Sequence, residues 1–281
     1  MAEVHPAEVA GGLRGTPSAP AGGSLRVSER TICIVTGIVF ALAAGTTYYF
    51  ARTMSGGMRM PGNWTMSMMW MRMPGQTRLT AALVFSGMWL AMMVAMMLPS
   101  SLPVLLVYRR ATAFRGDTEI GLVTWLVGIG YFAVWVAFGL LAYGAGMAIA
   151  RAAMQSTAVS RVIPVASGVA LMVAGLYQLT PWKSACLKHC RDPLHIVARH
   201  LDGGWRGALG LGLYHGAYCA ACCWGLMVIQ LALGVMNLAV MVAVAAVIAM
   251  EKLLARGYWI ARVTGWGALG GGLALVARSV L

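Results

Sequence analysis

Acidic side chains are the scarcest feature of this sequence. Only eight of 281 residues are aspartate or glutamate, and only 10% carry any charge. A soluble domain carries about 25% charged residues, so most of this surface is not built to meet water. The few carboxylates lie mostly in tails and loops and leave no paired-carboxylate site. There is also no Ser-His-Asp pattern, no CxxCH haem attachment, no P-loop and no GxGxxG after a strand, which excludes the common nucleotide-driven and hydrolytic machineries. The formal net charge of +13 would suggest nucleic acid in a soluble protein. Here no nucleic-acid module accompanies it, and the basic residues fall in loops between apolar runs, as positive-inside topology requires.

What is abundant is apolar length. Charge-free runs occupy Thr31–Phe50, Leu79–Tyr108, Ile120–Ala150, Val162–Trp182 and Gly207–Met250. About 20 helical residues cross a hydrocarbon core. The 44 residues of the last run therefore suffice for two crossings, with the turn expected at "LGVMN", Leu233–Asn237. Glycine-rich Tyr258–Ala277 makes a weaker seventh. Helices satisfy their own backbone in lipid, so the expected fold is an all-α polytopic transmembrane bundle of about seven spans. Residues 1–28 read as a disordered basic tail and 29–281 as the helical domain. Within that domain, 54–74 forms an extracytoplasmic loop and 183–206 a cytoplasmic one. The first run could be a signal peptide, with "ALA" at 41–43, but it continues to Phe50 and reads as an uncleaved anchor. With the N-terminus inside, inner segments hold 14 of the 21 Lys and Arg, which favours an N-in, C-out protein of a plasma or inner membrane.

Sulfur is the second abundance: 21 methionines and six cysteines. "MSGGMRMPGNWTMSMMWMRMP" (54–74) holds Met54, Met58, Met60, Met66, Met68, Met69, Met71 and Met73. Thioethers select Cu(I) and need no deprotonation, so this loop reads as a metal-capture segment. The alternative is an interfacial stretch using methionine as flexible filler. Next, Met88, Met92 and Met96 recur at i, i+4, i+8, with Met93 and Met97 beside them, which lines one helix face with thioethers. Pro99 and Pro103 are expected to kink or end that helix, with Ser100 and Ser101 helping to satisfy freed carbonyls.

Two Cys/His groups follow. "SACLKHCRDPLH" places Cys186 and Cys190 one turn apart, with His189 and His195 nearby. "GLYHGAYCAACCWGLM" places His215, Cys219, Cys222 and Cys223 within an arc of roughly 100° on one helix. A histidine in lipid is costly and should face the bundle and a partner. One helix rarely encloses an ion, so Cys186, His189 or Cys190 could complete the shell. Zinc competes for Cys/His ligands, but neither group has a pair of CxxC spacings, Cys219/Cys222 being the single one, and zinc leaves the methionines unexplained. Glu251-Lys252 reads as an interfacial pair. Asn237 reads as a turn residue with its amide satisfied across helices. Gly212 and Gly216, as GxxxG, read as a close helix contact.

"MMVAMMLPSSLP" (Met92–Pro103), "TPWKSACLKHCRDPL" (Thr180–Leu194), "HGAYCAACCWGLM" (His215–Met227), "GVMNLAVM" (Gly234–Met241) and "EK" (Glu251-Lys252) together resemble a bacterial family described as predicted metal-binding integral membrane proteins of unknown function. The resemblance implies a multi-span inner-membrane protein with metal at the Cys/His positions. The residues themselves point to Cu(I) handling without ATPase machinery: a carrier, a chaperone, or an assembly factor with a copper-enzyme or copper-chaperone partner. Two rivals remain open. One is a transmembrane thiol oxidoreductase using the Cys186/Cys190 and Cys219/Cys222 pairs. The other is a non-catalytic subunit of a membrane oxidase or monooxygenase.

Overall fold

Charge-free stretches must close their backbone hydrogen bonds internally, and in a computed structural model the chain does so almost entirely as helix. The structure describes residues 22–54, 56–71, 75–114, 120–198, 200 and 204–280. Among these the elements run α1 (Gly22–Thr53), β1 (Gly57–Met60), β2 (Trp64–Ser67), a 3-10 turn (Met68–Trp70), α2 (Arg78–Phe114), α3 (Ile120–Gln155) and α4 (Thr157–Leu179). There follow α5 (Pro181–Cys190), α6 (Pro193–Ala198), α7 (Gly204–Leu233), α8 (Leu238–Leu253) and α9 (Gly257–Val280). The fold is an all-α bundle. Residues 22–28, expected in the tail, already belong to α1; the rest of that tail lies outside the described residues.

Among the described residues, six helices are long and apolar enough to cross a membrane: 30–53 of α1, together with α2, α3, α4, α7 and α9. The glycine-rich last segment, expected to be the weak span, is one of them. The short one is α8, whose 16 residues extend only about 24 Å. The turn before it falls where expected. Gly234 takes φ +117°, and the Asn237 side chain accepts from the backbone N–H groups of Ala239 and Val240. Asn237 thus caps its own helix and does not bond across to another.

Pro99 and Pro103, expected to kink or end the helix, do not end it: both lie inside α2, which runs for 37 residues. Ser100 and Ser101 donate to the Met97 and Leu98 carbonyls at 2.9 and 3.1 Å. These are not the Ala95 and Pro99 carbonyls that the prolines leave free. Strands were not expected, yet the methionine-rich loop contains a two-stranded antiparallel hairpin pairing Met58 with Met66 and Met60 with Trp64. It is fastened to the start of α4, where Trp64 Nε1 donates to the Ser160 carbonyl at 2.9 Å and Ser160 Oγ donates to the Pro61 carbonyl at 2.7 Å.

Helix packing sets the position of the site. α3 and α7 run parallel, with Gly212 against the Val127–Tyr131 backbone; a Cβ on Gly216 would stand 2.9 Å from the Tyr131 carbonyl. Only glycine permits that approach, so the GxxxG reading of Gly212 and Gly216 agrees with the structure. α4 and α9 are antiparallel, and a Cβ on Gly175 would come 2.7 Å from the Gly265 carbonyl. Two main cores result. One, between α2, α7 and α8, is rich in Met and Cys. The other joins Val104, Tyr108, Val123, Val127, Ile196, Val197, Ala208 and Leu211.

Candidate metal centre

On α7, helical periodicity turns one face inward, and His215, Cys219, Cys222 and Cys223 are all buried on it. Gly212 and Gly216 bring the backbone of α3 close, so this face meets Tyr131, whose hydroxyl lies 2.9 Å from Cys219 Sγ. α5 comes against the same face from the side. Its cap at Thr180 and Pro181 in its first turn start the helix, and Arg191-Asp192-Pro193 end it.

This arrangement brings four cysteines together from two helices. Cys190 Sγ is 3.7 Å from Cys222 Sγ, and Cys222 Sγ is 3.4 Å from Cys223 Sγ. Cys219, one turn earlier, has its carbonyl 3.3 Å from the Cys222 thiol. Cys186 is half-buried at the edge of the same core. His189 stacks on Tyr218 with ring centroids 4.0 Å apart. His215 stacks on Tyr131 at 5.3 Å, and neither of its buried ring nitrogens has a hydrogen-bond partner.

The thioether face of α2 closes the other side. Met88, Met92, Met93, Met96 and Met97 are each at most 4% exposed and share one continuous core with the cysteines. Met92 Sδ accepts from Gln230 Nε2 at 3.4 Å. The hairpin methionines divide. Met58 and Met68 are exposed, Met60 and Met66 are buried beneath the hairpin, and Met69 reaches the sulfur-rich core. Met54 packs against that core and Met71 against the hairpin's own small core. Met73 lies outside the described residues.

The residues missed by sequence reasoning are charged. Glu251 and Lys252 do not form an interfacial pair; they are 1% and 8% exposed and have separate partners. Glu251 accepts from Lys183 Nζ at 2.6 Å and from Gln178 Nε2 at 3.0 Å. Lys183 is fully buried and also donates to the Cys222 carbonyl. Burial alone would lower the Lys183 pKa, but the Glu251 carboxylate and the nearby cysteines more than offset this and hold it above the usual lysine value. Lys252 Nζ lies 2.8 Å from Cys219 Sγ and 3.5 Å from Ser100 Oγ. Arg191 Nη1 donates to the Glu251 carbonyl at 2.8 Å, fixing the far end of α5 to α8. A cavity of about 400 Å³, lined in part by Gln178, Lys183, Tyr258 and Arg262, adjoins this network. The available signal was an ionisable pair closing a 44-residue apolar run, which marks a functional position by default.

Chemically, the cluster offers soft donors in a dry interior. With metal–sulfur bonds of about 2.3 Å, three sulfurs in a plane around one ion stand about 4.0 Å apart. The 3.4 and 3.7 Å contacts are a few tenths shorter. Among the described residues, no three His, Cys, Asp or Glu side chains already stand in ion-holding geometry. To hold an ion, the sulfurs would have to part slightly or thioethers would have to contribute. No curated protein and no solved structure matches the chain. The family designated PpoB2, copper chaperone, matches residues 86–275. That span includes α7, α8, α5 and the inward face of α2, and covers about two thirds of the sequence. The chain belongs to the PpoB2 family of copper chaperones.

Proposed function

We propose that this chain is a membrane-embedded Cu(I) carrier or chaperone that passes its ion to a copper enzyme or a second chaperone. It stands in a bacterial inner membrane with its N-terminus on the cytoplasmic side. The observation that supports this most directly is the gathering of Cys190, Cys219, Cys222 and Cys223 against the methionine face of α2 in one buried core. Exposed Met58 and Met68 supply first contacts for Cu(I). Met69, Met88, Met92 and Met96 supply successive thioethers, the last three about 6 Å apart along the helix. The cysteines take the ion because thiolates hold it more tightly than thioethers. His215, His189 and Cys186 stand at the edge as further donors. Copper is cargo here, and ligands exchange one at a time so that no free ion crosses the core.

Metal analysis of detergent-purified, reduced protein tests this reading, with wild type beside Cys219→Ser/Cys222→Ser. Near-stoichiometric Cu(I) that the double variant loses is expected, with little zinc. Wild-type protein that stays empty after Cu(I) titration sinks the proposal. The 3.7 Å Cys190–Cys222 contact favours one second reading, a thiol oxidoreductase using that pair. It predicts a pair whose labelling follows redox potential and ignores copper.

A further inference from the structure

Lys252 has no role in the ligand set proposed above, yet it is buried in contact with that set. Its position in α8 directs the side chain inward, away from Glu251, whose carboxylate is already engaged by Lys183 and Gln178. Its ammonium donates to Cys219 Sγ at 2.8 Å, and the cationic donor makes the contact charge-assisted. On its other side is Ser100 Oγ at 3.5 Å. Ser100 spends its proton on the Met97 carbonyl, so its oxygen lone pairs remain to accept from the lysine. The ammonium therefore has a tight partner on the sulfur and a looser one on α2.

We infer that the Lys252 ammonium is an internal cation which Cu(I) displaces from Cys219, and whose return helps to expel the ion. The inference rests on the copper reading above and adds a release step to it. On loading, one N–H···S contact is exchanged for one Cu–S bond. The lysine keeps its proton and moves to Ser100. On release the exchange reverses, and one monovalent cation replaces another at the sulfur. No nucleotide or redox partner is required. Lysine suits this role: it carries a compact charge on a flexible stem, whereas arginine holds a rigid fork.

The experiment uses the full-length protein in detergent, reduced and loaded with Cu(I), then mixed with excess bicinchoninate, whose coloured Cu(I) complex reports release. Lys252→Met is expected to release copper about 10- to 100-fold more slowly than wild type, the factor carried by one charge-assisted contact. Ser100→Ala removes the resting place and should act in the opposite direction, releasing copper several-fold faster. A merely structural role would move both variants the same way. Lys252→Met that loads fully and releases at the wild-type rate overturns the inference. If Lys252→Met does not fold, Ser100→Ala decides alone, and release no faster than wild type overturns it. Wild-type protein that takes up no Cu(I) overturns the copper reading and this inference with it.

Discussion

Replacing Glu251 by leucine tests whether the buried ion pair is the fastening that holds α5 against α8. The Lys183–Glu251 contact is 2.6 Å between side chains that are each 1% exposed. At an effective dielectric of about 20, two charges at that distance attract by about 6 kcal/mol. Desolvating them costs several kcal/mol per ion, so the intact pair is close to neutral for stability. The single change is a different matter. It leaves Lys183 buried with only the Cys222 carbonyl as partner and removes the acceptor for Gln178. The expected loss is about 3–5 kcal/mol, whereas replacing both partners with apolar residues of similar volume is often neutral or stabilising. Reversible denaturant titration followed by tryptophan fluorescence should therefore find Glu251→Leu strongly destabilised and Lys183→Met/Glu251→Leu near wild type. The double variant nonetheless lacks the Lys183 tether to Cys222, so its copper retention should fall while its stability recovers. Glu251→Leu within about 1 kcal/mol of wild type refutes the argument, as does a double variant no more stable than the single one.

His215→Leu removes a buried imidazole that has no hydrogen-bond partner, a burden of about 1–3 kcal/mol. The metal-free thermal midpoint should hold or rise while Cu(I) affinity, measured by chelator competition, drops. Met92→Leu/Met96→Leu conserves volume and should cost less than about 1.5 kcal/mol each. Copper stoichiometry should persist, and stopped-flow loading should slow. Gly216→Leu drives a side chain into the Tyr131 backbone, and overpacking of this kind typically costs about 1–3 kcal/mol. Size-exclusion chromatography should show aggregated or poorly recovered protein. Asn237→Ala deletes the cap of α8 at about 1 kcal/mol, visible as a small fall in the thermal midpoint.

The helices were readable because long charge-free runs, of the length and apolar composition that a hydrocarbon core requires, are displayed directly by a sequence. The rank of the spans was not. The run ending at Met250 is intensely apolar yet too short after its turn, while α9 owes its low apparent hydrophobicity to glycines, some of which let it approach α4. The α7 sulfur face was legible from 3.6-residue spacing alone, since Cys219, Cys222 and Cys223 needed only helix geometry to share a side. The partners of Lys183 and Lys252 were not legible, because they lie 68 and 33 positions away and only packing brings them together. The hairpin carried an unused local signal. Pro61-Gly62-Asn63 sits between two short stretches, and both Gly62 and Asn63 take positive φ, a region that glycine and asparagine enter more readily than other residues.

Helices α2 and α3, at 37 and 36 residues, each extend about 55 Å, well past the roughly 30 Å of a hydrocarbon core. With α7 they pass from the sulfur-rich packing into the second core around Tyr108 and Leu211. Cys219 lies only 11 residues along α7 from Ala208, about 16 Å on the same stiff rod. Amide exchange around 208–211 and around 219–223 should accordingly rise and fall together. A partner gripping that second core would have a handle on the sulfur row, able to twist the cysteines apart from about three helical turns away without touching them.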